Sequence, residues 1–240
     1  MTDVSIVIPM HNEADNVAPL VSEVLASFTD DVSYEVIVVD DASTDDTFGR
    51  AKSLTTKHPM VRVIRHVANA GQSAAVHSGV LAAKGGVVCT LDGDGQNPPS
   101  ELVKLYRPIL SDESGALGLV AGQRVRRQDT VSKRLASRLA NGIRAWMLKD
   151  GTRDTGCGLK GFRRDAFLAL PYFDHMHRYL PALFKRDGWG VALVDVSHRE
   201  RQAGHSKYNN FQRAMVGIHD LIGVAWLIRR RKKSHAEETE

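Results

Sequence analysis

Cysteine is scarce in this chain: Cys89 and Cys157 are the two examples in 240 residues. They stand far apart and form no CxxC pair. That argues against a disulfide framework and a thiolate zinc site, and makes a reduced, cytosolic setting the expectation. Aromatic residues are sparse too, at 6%. With no stacking platform and no reader motif, nucleic acid is excluded as a partner, although the net charge is +4. Long apolar runs are also missing. The longest, Ala214 to Ile228, is broken by His219 and Asp220 and is too short and polar to cross a bilayer comfortably. No leader pattern precedes Val4, where a strand-like run begins. Neither GxxxxGK(S/T) nor GxGxxG follows a strand, which disfavours the common nucleotide enzymes that depend on those loops. Hydrophobic residues at 42% and charged residues at 25% suit an ordinary globular core.

What is present is alternation. Val4 to Ile8 is a β-rich run, and Glu13 to Phe28 carries apolar residues at helical spacing. Glu35 to Val39 predicts a second strand, Thr47 to Thr55 a helix, and Val61 to Ile64 a third strand. Ala74 to Ala83 predicts a helix closed by Gly85-Gly86, and Val87 to Leu91 a fourth strand. Strand-helix repetition predicts an α/β fold with a mostly parallel central sheet. Beyond it the pattern is less regular. Leu117 to Ala121 and Val191 to Val196 read as strands, Ser132 to Leu148 as a basic amphipathic helix, and Phe211 to Ile228 as a helix. The tail from Ser234 is polar and predicted disordered. Residues 1–210 are thus expected to form one domain, with 211–240 an amphipathic helix and basic tail.

Ligands bind such sheets beyond the carboxyl ends of the strands. Three polar clusters fall there and should share one crevice: His11, Asn12 and Glu13; Asp40 and Asp41; Asp92 and Asp94. In Leu91-Asp92-Gly93-Asp94-Gly95-Gln96 two carboxylates follow an apolar strand, and small residues beside them allow close approach of a ligand. Asp94 and the Gln96 amide oxygen suit a hard divalent cation held against a diphosphate. Asp41 suits a nucleobase N–H or ribose hydroxyl, while Ser43, Thr44 and Asp45 suit helix capping.

Taken in order and spacing, these pieces resemble the family 2 glycosyltransferases of the GT-A (Rossmann-like) nucleotide-sugar-binding fold. They are Pro9, Asn12 and Glu13; Val39-Asp40-Asp41 with Ser43, Asp45 and Thr47; Asn69 and Gly71; and Asp92-x-Asp94-x-Gln96 before Pro98-Pro99. Gly122-Gln123-Arg124, Asp154-Thr155-Gly156-Cys157-Gly158 and Arg201-x-x-Gly204-x-Ser206-Lys207-Tyr208 are similar to the branch with dolichyl-phosphate mannose synthases and bacterial polyprenyl-phosphate glycosyltransferases. The likeness runs over roughly residues 4 to 210.

That resemblance implies a hexosyltransferase using a GDP- or UDP-sugar, a polyprenyl phosphate acceptor and Mg2+ or Mn2+; the alternatives are a family 2 transferase acting on a saccharide hydroxyl and a non-catalytic nucleotide-sugar-binding module. It implies that Pro9, His11, Glu13, Asp41, Asp92, Gly93 and Asp94 line the nucleotide pocket, with Asp92, Asp94 and Gln96 around the metal. Asp94, Arg124, Arg201 and Lys207 would act in catalysis. Arg124, Arg134 and Ser137 would meet the acceptor phosphate. Position 11, often tyrosine in the family, is His11 here. His177-Arg178-Tyr179 falls where family members approach the acceptor. Arg229 to Lys233 beside the last apolar helix suit an anionic membrane surface at about 1 kcal/mol per basic residue. A peripheral position on the cytoplasmic membrane face is expected, with room for a membrane-protein partner.

Overall fold

Val4–Met10 (β1), Tyr34–Asp40 (β2), Val61–Arg65 (β3) and Val87–Thr90 (β4) form the parallel half of a seven-stranded sheet. In this computed structural model residues 2–28, 31–125, 142, 144–199 and 210–231 are described, the side chains of 210–216 excepted. The strand order is β3-β2-β1-β4-β6-β5-β7, with β5 at Leu117–Arg124, β6 at Lys160–Arg163 and β7 at Gly190–Val196. Among the described strands only β6 runs against its neighbours, pairing antiparallel with β4 and β5, while β5 and β7 pair parallel. The architecture is the mostly parallel α/β sheet expected from the alternation.

Both sheet faces are covered, so β1 is apolar on both sides, with Ser5 its one polar residue, instead of alternating. Ile6 and Ile8 face one core layer; Val7 faces the other. The first layer is closed by Ala14–Ser27 (α1), Thr47–Lys57 (α2) and Val103–Leu110 (α4), through Val17, Leu20, Val24, Ala51, Leu54, Leu105 and Ile109. The second is closed by Gly71–Ala82 (α3), Arg164–Leu168 (α5), Leu180–Arg186 (α6) and Asn210–Arg229 (α7). Each Val, Ile or Leu wholly buried in these layers contributes about 1.5–3 kcal/mol. On α7 the inner residues Val224 and Ala225 are buried, while Ile218, Ile222 and Trp226 are exposed on the outside.

One expectation changes. α3 ends at Ala82 with Ala83 extended, and neither Gly85 nor Gly86 has the positive φ of a helix-closing glycine. Gly85 instead lets the chain cross β1: a Cβ there would lie 2.8 Å from the Ser5 nitrogen. The basic helix predicted over 132–148 is described only at 142 and 144–148, which are helical. Arg134, Ser137, Arg201, Lys207 and the 234–240 tail lie outside the described residues.

Candidate active site

The crevice is assembled at the carboxyl ends of β1, β2 and β4. After β1 the chain turns through Asn12 at φ 54°, and after β2 through Ala42, also at φ 54°. The two turns bind each other. Asn12 N–H donates to Ser43 Oγ at 2.9 Å, and the Asn12 amide oxygen accepts from Thr44 N–H at 2.7 Å. Glu13 N–H donates to Thr47 Oγ1, and Asp45 accepts from Thr47 N–H and from Ala14 N–H. Asp45 therefore ties the starts of α1 and α2 together, consistent with the macrodipole preference for a carboxylate. His11 Nδ1 lies 2.8 Å from the Asp41 carbonyl oxygen.

Asp41 is the hinge between this end and α3. Its buried carboxylate accepts from Ala70 N–H at 2.9 Å and Gly71 N–H at 2.8 Å, and meets His66 Nδ1 at 2.7 Å. His66 Nε2 reaches Ser78 Oγ. The expected nucleotide ligand Asp41 thus also anchors the first turn of α3.

From that turn Gln72 reaches across to the paired carboxylates. Its Nε2 donates to Asp92 Oδ1 at 2.7 Å, and Asn97 Nδ2 donates to Asp92 Oδ2 at 3.4 Å. Burial, then the neighbouring Asp94 charge, pushes the Asp92 carboxyl up to about 6; Lys160 and Arg124 pull the other way. Asp94 accepts from Gln96 N–H, and the Gln96 carbonyl accepts from Arg199 N–H. Gly93 is required: a Cβ there would lie 2.8 Å from the Pro9 carbonyl, so the acidic turn presses on the end of β1. A cation fits this donor set, because it would offset the burial and the Asp94 repulsion that raise Asp92. Among the described residues no three His, Cys, Asp or Glu side chains gather as a complete cage. Substrate oxygens would have to complete the shell, the usual habit of Mg2+.

The third wall comes from β5 and the loop before β6. Arg124 donates to Asp154 through Nε at 2.6 Å and Nη2 at 2.9 Å, a planar fork that lysine could not make. This bond holds the guanidinium charged, against its burial. Buried Gln123 fixes the partner loop, its Oε1 accepting from Arg153 N–H and Asp154 N–H. A Cβ on Gly156 would meet Arg124 Nη2 at 3.1 Å, and one on Gly158 would fall about 2.1 Å from the Asp92 carboxylate. One glycine-bearing loop therefore touches both the arginine and the acidic pair.

Pro9, His11, Glu13, Asp41, Asp92, Gly93, Asp94, Gln96 and Arg124 all lie along this crevice wall. Sequence reasoning did not find Gln72, Asn97 or Lys160, and left His66 without a role. Gln72 sits three residues after Asn69 in the quoted pattern, a spacing that could have drawn notice. Lys160 had no such signal, because its burial arises only when β6 inserts between β4 and β5.

The chain is similar to known proteins over most of its length. The family model for glycosyl transferase family 2 matches residues 5–170. Dodecaprenyl-phosphate galacturonate synthase of Rhizobium johnstonii is 32% identical over 241 residues, covering 95% of this chain and 68% of that protein. Undecaprenyl-phosphate 4-deoxy-4-formamido-L-arabinose transferase of Pectobacterium carotovorum is 32% identical, covering 92% of this chain and 66% of that protein. The chain thus spans about two thirds of the length of these relatives. Among solved structures, glucosyl-3-phosphoglycerate synthase from Mycobacterium tuberculosis with Mg2+ and uridine diphosphate superposes with a TM-score of 0.71 at 21% identity, covering 95% of this chain and 79% of that one. That likeness shows the GT-A fold. With the fold, the paired aspartates and the family match in agreement, the chain belongs to glycosyl transferase family 2.

Proposed function

We propose that this protein transfers a sugar from a nucleotide diphosphate to a polyprenyl phosphate, with inversion at the anomeric carbon. The observation that carries the reading is the loop of Gly156 and Gly158, which joins Arg124 to Asp92 in one wall. It sets an arginine suited to an acceptor phosphate beside a pair suited to a donor diphosphate. The two relatives above, named for dodecaprenyl- and undecaprenyl-phosphate products or substrates, support the acceptor class.

The chemistry follows from charge. An acceptor phosphate oxygen attacks the anomeric carbon; the bond from that carbon to the nucleotide diphosphate breaks, and the leaving group takes the electron pair. A phosphate oxygen is already ionised near neutral pH, so no general base is needed. Asp154 fits that picture, since both its oxygens hold Arg124. Pro9, His11, Glu13, Asp41 and Gly93 hold the nucleoside end. Asp92, Asp94 and Gln96 hold Mg2+ or Mn2+, which when bound offsets charge growing on the departing diphosphate. The family resemblance assigns Arg201 and Lys207 to that diphosphate, and Arg134 and Ser137 with Arg124 to the acceptor phosphate.

A lipid acceptor requires a surface. No described helix is long and apolar enough to cross a membrane. The exposed face of α7, with Ile218, Ile222 and Trp226 running toward Arg229, Arg230 and Arg231, suits shallow binding to an anionic cytoplasmic leaflet. The test is transfer of labelled sugar to polyprenyl phosphate in the presence of Mg2+ or Mn2+. Transfer to a saccharide hydroxyl in place of the lipid would overturn the reading.

A further inference from the structure

Lys160 is an unusual residue to find beneath the crevice. It lies on β6 opposite Thr90 of β4 and Ala121 of β5, and is 4% exposed. Its ammonium donates to the Cys157 carbonyl and makes no ion pair within 4 Å among the described residues. Burial lowers the Lys160 pKa from its ordinary value, with Cys157, Asp92 and Asp154 acting in the opposite direction. However, Asp92 is engaged by Gln72 and Asn97, and Asp154 by Arg124. An ammonium has three donors. A buried cation with donor capacity to spare is costly unless something fills it.

His177, partly buried, is a second polar group near Lys160. Ser73 Oγ accepts from the His177 backbone N–H at 3.4 Å and lies 2.7 Å from Nδ1; a Ser73 hydroxyl donating to Nδ1 places the ring proton on Nε2, the tautomer that a carboxylate subsite requires. Among the described residues Nε2 has no hydrogen-bond partner. Burial, with Lys160, Arg178 and His175 nearby, holds the imidazole pKa well below its usual value, so the ring stays a neutral donor.

Topology says what would lie there. The nucleoside end is at β1 and β2, and Arg124 stands on β5. β6 lies between β4 and β5, which puts Lys160 between the paired aspartates and Arg124 in strand order, where a sugar bridging diphosphate and acceptor would pass. We propose that Lys160 and His177 form a subsite for a carboxylate on the transferred sugar, making the preferred donor a nucleotide uronate. This rests on the glycosyl-transfer reading and names its sugar class.

The test is calorimetric binding of matched nucleotide uronates and nucleotide hexoses, UDP- and GDP-linked, with Mn2+ and without lipid. The wild-type protein is expected to bind the uronate of its preferred nucleotide at least about tenfold more tightly than the hexose, as a charge-assisted contact would give. Lys160→Met should abolish that excess, the readout being the ratio of uronate to hexose affinity in each protein. Equal binding of uronate and hexose by the wild type would overturn the proposal, as would a uniform weakening of both in the variant. Should Lys160→Met fail to fold, the wild type still decides the matter. A uronamide of the same sugar should bind about tenfold more weakly than the uronate, and equal binding refutes the subsite. Because no lipid is present, an intact uronate preference without lipid transfer would fault the acceptor reading alone.

Discussion

At Gly158 a hydrogen stands where any other residue would push a methyl group to about 2.1 Å from the Asp92 carboxylate. Gly158→Ala should therefore displace Asp92 and cut transfer on the order of 100-fold, with little change in melting temperature. Asp94→Ala should cost about as much by removing a charged oxygen from the cation. Measured kcat/KM and melting curves check both. Asp92 also makes a pH prediction. Its carboxyl is raised from 3.8 to about 6, so the folded protein binds a proton there that the unfolded chain has lost. The wild type consequently loses stability as pH rises through that window. Metal-free Asp92→Asn should melt progressively higher than wild type between about pH 4 and pH 6, and the gap should then stay constant. A gap that does not change with pH would contradict the assignment. At this scale the paired aspartates were legible because a strand end and a one-residue spacing identify them. Lys160 and Gln72 were not, because their meaning comes from neighbours far away in sequence.

The helix α3 shows what an element contributes. Its first turn holds Asp41 and sends Gln72 to Asp92, while Gly79 lets its body settle onto the sheet. A Cβ at Gly79 would fall 2.4 Å from Val7 Cγ1 and 3.2 Å from Val39 Cγ2. Replacing a helix-interior glycine by alanine ordinarily gains about 1 kcal/mol. Here overpacking against two buried valines should win, for a net loss of about 1–3 kcal/mol in denaturant melts of Gly79→Ala. The periodic elements of the first half were readable because each carries apolar residues at its own spacing. β6 escaped because Lys160-Gly161-Phe162-Arg163 is only four residues, two of them charged. The Gly85-Gly86 pair was misread as a helix stop because its role is a close crossing of β1, which local sequence cannot express.

For the whole molecule, α7 joins the fold to its surroundings. Val224 and Ala225 are buried against the second core layer, and Arg186 Nε donates to the Leu227 carbonyl. Deleting the helix would therefore damage the fold along with any membrane contact. Replacing exposed residues separates the two: Ile222→Ser with Trp226→Ser should reduce co-flotation with anionic vesicles severalfold and leave the melting temperature unchanged. Unchanged flotation would refute this face as the contact. The α/β class and the crevice at the strand ends were visible in the sequence because both follow from alternation. The carboxyl-terminal face of α7 was not, since an apolar helix looks the same whether it is covered on one side or two. The most direct measurement is incorporation of labelled sugar into extractable lipid by the purified protein. It would receive polyprenyl phosphate, Mg2+ or Mn2+, and a panel of UDP- and GDP-sugars. Metal-dependent label in the lipid, abolished by Asp94→Ala, is the predicted result. Label appearing on a saccharide hydroxyl but never on the lipid would contradict it.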